Sequence, residues 1–165
     1  MTMRIETCVG IDLGSTTTKA VVLDPDQKVL GRGITNSRSN YDVACKVALG
    51  EALINARFAL IDGRLQHAGV DAARRQGLLQ QFELAFREQQ YRSQLRSLAE
   101  RLHHHAVRTG LGTATLRALE HIAAQMSDES AGLFRLGVAR KSDFFRDLAG
   151  SRYIELAEAL ARDGV

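Results

Sequence analysis

Between Gly10 and Val22 the chain reads Gly10-Ile11-Asp12-Leu13-Gly14-Ser15-Thr16-Thr17-Thr18-Lys19-Ala20-Val21-Val22. An apolar run ends on a carboxylate, passes through a glycine and a row of hydroxyls, and returns to a second apolar run. Binding a phosphate asks for backbone N–H groups that converge on an anion, small residues that let it approach, and hydroxyl donors. Gly14, Ser15, Thr16, Thr17 and Thr18 supply all three. Asp12, at the end of the first run, puts a carboxylate where Mg²⁺ can be held through water, because Mg²⁺ dehydrates reluctantly. Lys19 can place a point positive charge near a β- or γ-phosphate. The plainer alternatives are a β-hairpin with a polar turn and a Lys19 that faces outward from its strand. The stretch is neither GxxxxGK[ST] nor GxGxxG, and no helix follows its turn.

Three short strands are needed to position these residues. Arg4–Ile11, Lys19–Leu23 and Lys28–Thr35 are β-rich or apolar runs separated by turn chemistry, which predicts a β-meander. Asp24-Pro25-Asp26-Gln27 is such a turn, with Pro presetting φ and Asp capping its own backbone. Asn36–Asn40 reads as a polar loop. From Asp42, Val43, Val47, Ala52, Leu53 and Ala56 recur at three- and four-residue steps and predict a helix over 42–57. One or two long amphipathic helices are expected over 70–106, carrying Leu78, Phe82, Phe86, Tyr91, Leu95 and Leu102. Gly110-Leu111-Gly112 breaks that pattern, and Thr113 or Thr115 would cap the next helix. Ser127–Ser130 reads as a polar hinge. A last helix is expected over 142–162, with Gly164 at its C′ position.

Residues 1–60 thus carry nearly all the strand signals and residues 61–165 look helical. The fold class expected is α/β: a partial lobe over 1–60 and a helical subdomain over 61–165. The 165 residues have 25 % charged and 45 % apolar composition, which excludes a disordered tail, a collagen-like repeat and a disulfide scaffold. The net charge of +3 is spread evenly, with 7 basic and 6 acidic groups in residues 1–60 and 15 and 13 in the rest. Interleaved charge of this kind marks solvated helix faces rather than the basic stripe of a nucleic-acid binder. No apolar run reaches the roughly 18 residues of a membrane helix and no signal peptide is visible, so neither a nucleic acid nor a membrane is expected as partner and the expected location is cytoplasmic.

Three other features invite a functional reading and have a blander one. His103-His104-His105 point in different directions on a helix and fit a solvated helix end better than a metal site. Cys8 and Cys45 form no CxxC pair and fit small buried apolar residues. Gly110–Thr115 fits an interhelical turn with a Thr cap better than a second phosphate loop at a helix N-terminus.

The stretch from Gly10 to Asp24 resembles the first phosphate motif of the actin-like ATPase superfamily, which spans the first hairpin of a ribonuclease-H-like domain. That pattern places an Asp at the end of strand one, a Gly two residues on, hydroxyls in the turn and, in several members, a Lys seven residues after the Asp. Asp12, Gly14, Ser15, Thr16, Thr17 and Lys19 match it. Within the superfamily, the Ser-Thr-Thr-Thr-Lys run looks most like the BadF/BadG/BcrA/BcrD ATPases, which include the ATP-hydrolysing subunits of benzoyl-CoA reductase. The segments Arg108–Thr115 and Phe144–Tyr153 are similar to a helical insertion carried by the larger of those subunits.

The resemblance implies ATP and Mg²⁺ as cofactors. It assigns Asp12 to catalysis and to Mg²⁺ through water, and Gly14, Ser15, Thr16, Thr17 and Lys19 to the phosphates. It implies ATP-driven electron transfer at low potential, with a sister ATPase subunit and reductase subunits as partners and an iron–sulfur cluster between the two ATPase subunits. The second phosphate motif, the adenosine motif and the cluster cysteines of the family are not found in the 165 residues, so the sequence reads as an N-terminal part, inactive by itself. The alternatives are a 2-hydroxyacyl-CoA dehydratase activator, a sugar kinase, or a non-catalytic helical interaction module.

Overall fold

A computed structural model describes residues 6–37, 40–140, 142 and 144–162. The elements run β1 (Cys8–Leu13), β2 (Thr17–Leu23), β3 (Val29–Asn36), α1 (Tyr41–His67), α2 (Ala72–Arg108), α3 (Thr113–Leu133) and α4 (Phe145–Arg162). The chain divides into two compact units, residues 1–79 and residues 80–165. No helix among the described residues is long and apolar enough to cross a membrane.

In the first unit the strands form an antiparallel sheet in the order β1-β2-β3. The β2–β3 turn is held by Asp24, whose Oδ1 accepts from the amides of Asp26 at 3.0 Å and Lys28 at 2.8 Å. Burial on β2 alternates: Thr18, Ala20 and Val22 are buried, whereas Lys19 is exposed. The buried face packs on Ala48, Ala52 and Ala56 of α1, which recur every four residues and so lie along one helix stripe. β3 approaches that stripe through Gly31 and Gly33. A Cβ on Gly31 would lie 2.1 Å from the Ala52 carbonyl oxygen, and one on Gly33 would lie 2.0 Å from that of Ala48. Small residues on both surfaces therefore bring the backbones of strand and helix into direct contact. α1 lies chiefly over β3 and β2. Val9, Ile11 and Leu13, on the same face of β1, remain 47, 42 and 53 % exposed.

α1 starts where Asn40 Oδ1 accepts from the Val43 amide at 3.1 Å. It runs ten residues beyond the end expected from the sequence. It stops at Gly69, whose φ of +78° favours glycine, with the Val70 amide donating back to the Leu65 carbonyl at 3.0 Å. α2 is one continuous helix and ends in the same way at Gly110, with φ +70°. The cap expected from Thr113 or Thr115 is not formed: Gly112 is the N-cap of α3 and no side chain caps it.

The second unit packs α3, α4 and the part of α2 beyond residue 79 around Tyr91, Leu95, Ile122, Met126, Phe134, Ala149 and Leu156. The Tyr91 ring meets those of Phe134 and Phe145 at centroid distances of 5.8 and 5.4 Å. Burial pushes the Tyr91 and Tyr153 hydroxyls above their ordinary pKa. The first part of the expected apolar stripe is not covered: Leu78, Phe82 and Phe86 are exposed.

The hinge expected at Ser127–Ser130 is helical instead, inside α3. Two of its side chains, Glu129 and Ser130, are held by arginines of neighbouring helices. Arg152 of α4 forks onto Glu129, with Nε 2.8 Å from Oε2 and Nη2 2.7 Å from Oε1. That guanidinium, with help from the Gln125 amide, holds the Glu129 carboxyl below its ordinary pKa against a smaller opposing effect of burial. Arg92 of α2 donates through Nε to Ser130 Oγ at 2.7 Å, and Ser130 Oγ donates to the Ser127 carbonyl at 2.6 Å. The last helix begins at Phe145 rather than Ser142. Ser142 Oγ accepts from the Phe144 amide at 3.1 Å and so works just ahead of it. Gly164 lies outside the described residues.

Candidate functional site

The register of the hairpin decides which chemistry-bearing residues meet. Asp12 pairs with Lys19 and Lys19 with Ile34, while Gly10 pairs with Val21 and Val21 with Arg32. Because α1 occupies the face of Thr18, Ala20 and Val22, the period of two puts Asp12, Thr17, Lys19 and Arg32 on the other, open face. Directly opposed side chains on one face have Cβ atoms about 5 Å apart. Asp12 and Lys19 are thus directly opposed across the two strands, next to the turn. A cavity of about 700 Å³ opens on this face, lined among others by Gly10, Asp12, Lys19, Val21, Arg32 and Ile34.

The turn itself is closed by the Gly14 amide donating to the Thr17 carbonyl at 3.0 Å. A Cβ on Gly14 would lie 2.7 Å from that carbonyl oxygen, so the turn needs glycine there. Ser15 and Thr16 are exposed and Thr17 is half-buried. Thr18 differs from them. It is fully buried and faces α1, and its Oγ1 lies 2.9 Å from Ser37 Oγ. Its hydroxyl is used inside the hairpin, which leaves those of Ser15, Thr16 and Thr17 nearer the solvent.

Ser37 is the residue that sequence reasoning missed. It lies in the segment read as a polar loop, yet it is 0 % exposed. Its Oγ donates to the Gly14 carbonyl at 2.5 Å, and its amide donates to the Thr16 carbonyl at 2.9 Å. The residue after β3 thus anchors both ends of the β1–β2 turn, a relation across 23 residues that no local pattern announces. Residues 38 and 39 of that loop lie outside the described residues.

The other candidates are the histidine run and the two cysteines. His103, His104 and His105 are exposed in the last turns of α2, and His103 Nδ1 lies 3.8 Å from Glu120 Oε1. No group of three or more metal-ligating side chains occurs among the described residues. Cys8 is exposed, against the expectation of burial, because it lies on the face of the sheet opposite α1; Cys45 is half-buried. Cys8 shares the open face of the sheet with Gly10 and Asp12, whereas Cys45 belongs to α1 behind the sheet. The two cysteines do not converge, so they do not fit as paired ligands of one iron–sulfur cluster.

Neither a curated protein nor a solved structure matches this chain. A family model does match: the BadF/BadG/BcrA/BcrD ATPase family aligns with residues 9–132, which include the hairpin from Val9 on, α1, α2 and nearly all of α3. The family is of the actin-like ATPase type, which agrees with an antiparallel three-stranded sheet followed by helices. ATP is the nucleotide that membership implies. The chain belongs to the BadF/BadG/BcrA/BcrD ATPase family.

Proposed function

We propose that this chain provides the first phosphate-binding hairpin of an ATP-hydrolysing subunit that drives low-potential electron transfer in a benzoyl-CoA reductase-type complex. The observation that carries the nucleotide part is the register that sets Asp12 against Lys19 on the open sheet face, beside a turn with free hydroxyls. The family match supports the ATPase part. The electron-transfer role, a cytoplasmic location, and a sister ATPase subunit and reductase subunits as partners rest on the resemblance of the hairpin and of the helical segments.

The residues present fit a Mg²⁺–triphosphate. The turn offers backbone amides and the Ser15, Thr16 and Thr17 hydroxyls to phosphate oxygens. Lys19 would balance their charge, and Asp12 would be the carboxylate that holds the metal. When bound, Mg²⁺ offsets the charge that builds on the β- and γ-phosphates. The chain's own contribution is positioning: Gly14 keeps the turn tight, and Ser37 and Thr18 lock it against the sheet. In phosphoryl transfer, positioning and electrostatics do most of the catalysis. No step is assigned to the cysteines.

The test is calorimetric titration of Mg-ATP into the chain and into its native complex. Asp12→Ala should weaken binding at least tenfold and abolish its Mg²⁺ dependence. Absence of Mg-ATP binding in both preparations, or binding indifferent to Asp12→Ala, overturns the reading.

A further inference from the structure

Arg32 has no part in the motif that identifies the hairpin, yet the fold delivers it to the same cavity. It stands between Gly31 and Gly33, whose missing side chains let β3 lie directly on the α1 backbone. With that face closed by the helix, the side chain of Arg32 can leave the strand only on the open face. The strand is held in place there by Asn55 of α1, whose Nδ2 donates to the Arg32 carbonyl at 2.7 Å. Arg32 is exposed, lies one step along the sheet from the Asp12–Lys19 row, and shares the cavity with both. Among the described residues, neither Arg32 nor Lys19 forms an ion pair. Two cations therefore face one carboxylate, and the cavity carries a net positive charge. At the row of Arg32, Gly10 presents no side chain on β1, and Val21 lies between them. The floor beside the guanidinium is thus low and apolar, and an extended ligand can lie on it.

We infer that Arg32 is a binding residue for a polyphosphate chain lying along the open sheet face, from the Gly14–Thr17 turn past Lys19 to the guanidinium. The ligand class is a nucleoside triphosphate or another linear polyphosphate, which a planar guanidinium recognises through two parallel N–H donors where an ammonium offers only a point charge. The inference rests on the phosphate-binding reading of the hairpin and adds to it a residue from outside the motif.

Two probes separate the inference from that reading: Mg-ATP, and inorganic tripolyphosphate without metal, each titrated into the full chain and its native complex. Arg32→Gln should weaken tripolyphosphate at least tenfold and flatten its salt dependence, with Arg32→Lys between the two. Arg57→Gln removes an equal charge from an exposed position on α1 and should change affinity less than twofold. Arg32 is exposed, so far-ultraviolet circular dichroism and melting should be unaltered in the variant. Mg-ATP and tripolyphosphate affinities unchanged by Arg32→Gln, in a protein that still requires Asp12 for Mg-ATP, overturn the inference and leave the hairpin reading standing. Tripolyphosphate binding that needs Arg32 in a protein blind to Mg-ATP does the reverse. Failure to bind either probe overturns both.

Discussion

Removing one buried hydroxyl tests whether the phosphate turn is held from behind. In Ser37→Ala, the Gly14 carbonyl loses its 2.5 Å donor and Thr18 Oγ1 loses its 2.9 Å partner. Both Ser37 and Thr18 are 0 % exposed, so water cannot replace the bond at Thr18 without opening the hairpin. A net intramolecular hydrogen bond contributes about 1 kcal/mol, and a buried group left unpaired costs about 1–3 kcal/mol. The expected loss is therefore about 2–3 kcal/mol in the first unit. Removing both partners, in Thr18→Val with Ser37→Ala, deletes the orphaned hydroxyl and should recover about 1 kcal/mol of the summed single losses. Native-state amide hydrogen exchange gives the local answer. The Gly14 amide, bonded to Thr17, and the Ser37 amide, bonded to Thr16, should lose protection in Ser37→Ala, while amides in residues 80–162 keep theirs. Mg-ATP affinity should fall with them, because the turn amides are no longer preset. Unchanged exchange at Gly14 and Ser37, with a stability change below about 0.5 kcal/mol, would refute the claim that this pair holds the turn.

Two further perturbations address packing and charge. Gly33→Ala places a Cβ 2.0 Å from the Ala48 carbonyl oxygen and must push α1 off the sheet, at a cost of about 3 kcal/mol or more in urea unfolding. Gly50→Ala, on the same helix with nothing within 4 Å of the new Cβ, should instead stabilise by about 0.5–1 kcal/mol, and equal effects at the two glycines would contradict the packing described. The Glu129 carboxyl is held below its ordinary value of 4.5, so its contribution is present above that value in the unfolded chain and is lost as pH falls through the depressed folded value. Since Arg152 and Glu129 are each more than a third exposed, that contribution is about 0.5–1 kcal/mol. Melting of Glu129→Gln should lie below wild type at pH 7, and the gap should narrow as pH falls below 4.5 through the depressed folded value; a gap that does not narrow on acidification would remove the ion pair as its cause.

Much of the first unit is written locally. The order of three strands and a helix, the Asp24 turn and the carboxylate–glycine–hydroxyl string each depend on neighbours within a few residues, and the structure reproduces them with strand ends moved by at most two residues, apart from the start of β1, where Arg4 and Ile5 of the expected strand lie outside the described residues. The polar run Ser127–Ser130 misleads because its composition is that of a hinge, and only arginines from α2 and α4 explain why it stays helical. Cys8 misleads for a related reason. Its residue type is usually buried, but burial depends on which face the register gives the side chain, and Cys8 falls on the face opposite α1.

The sequence by itself determined which groups the hairpin carries and nearly where each stands: Asp12 near the end of β1, Gly14 to Thr16 in the turn and Lys19 in β2, with Thr17, expected in the turn, opening β2 instead. It could not determine which of these groups share a face, because a one-residue slip in register moves a whole strand's side chains to the opposite side. The tertiary structure decided that through the contact of Gly31 and Gly33 with α1, which closes one face of the sheet. Asp12, Thr17, Lys19 and Arg32 are left together on the open face, and Thr18 turns inward to Ser37.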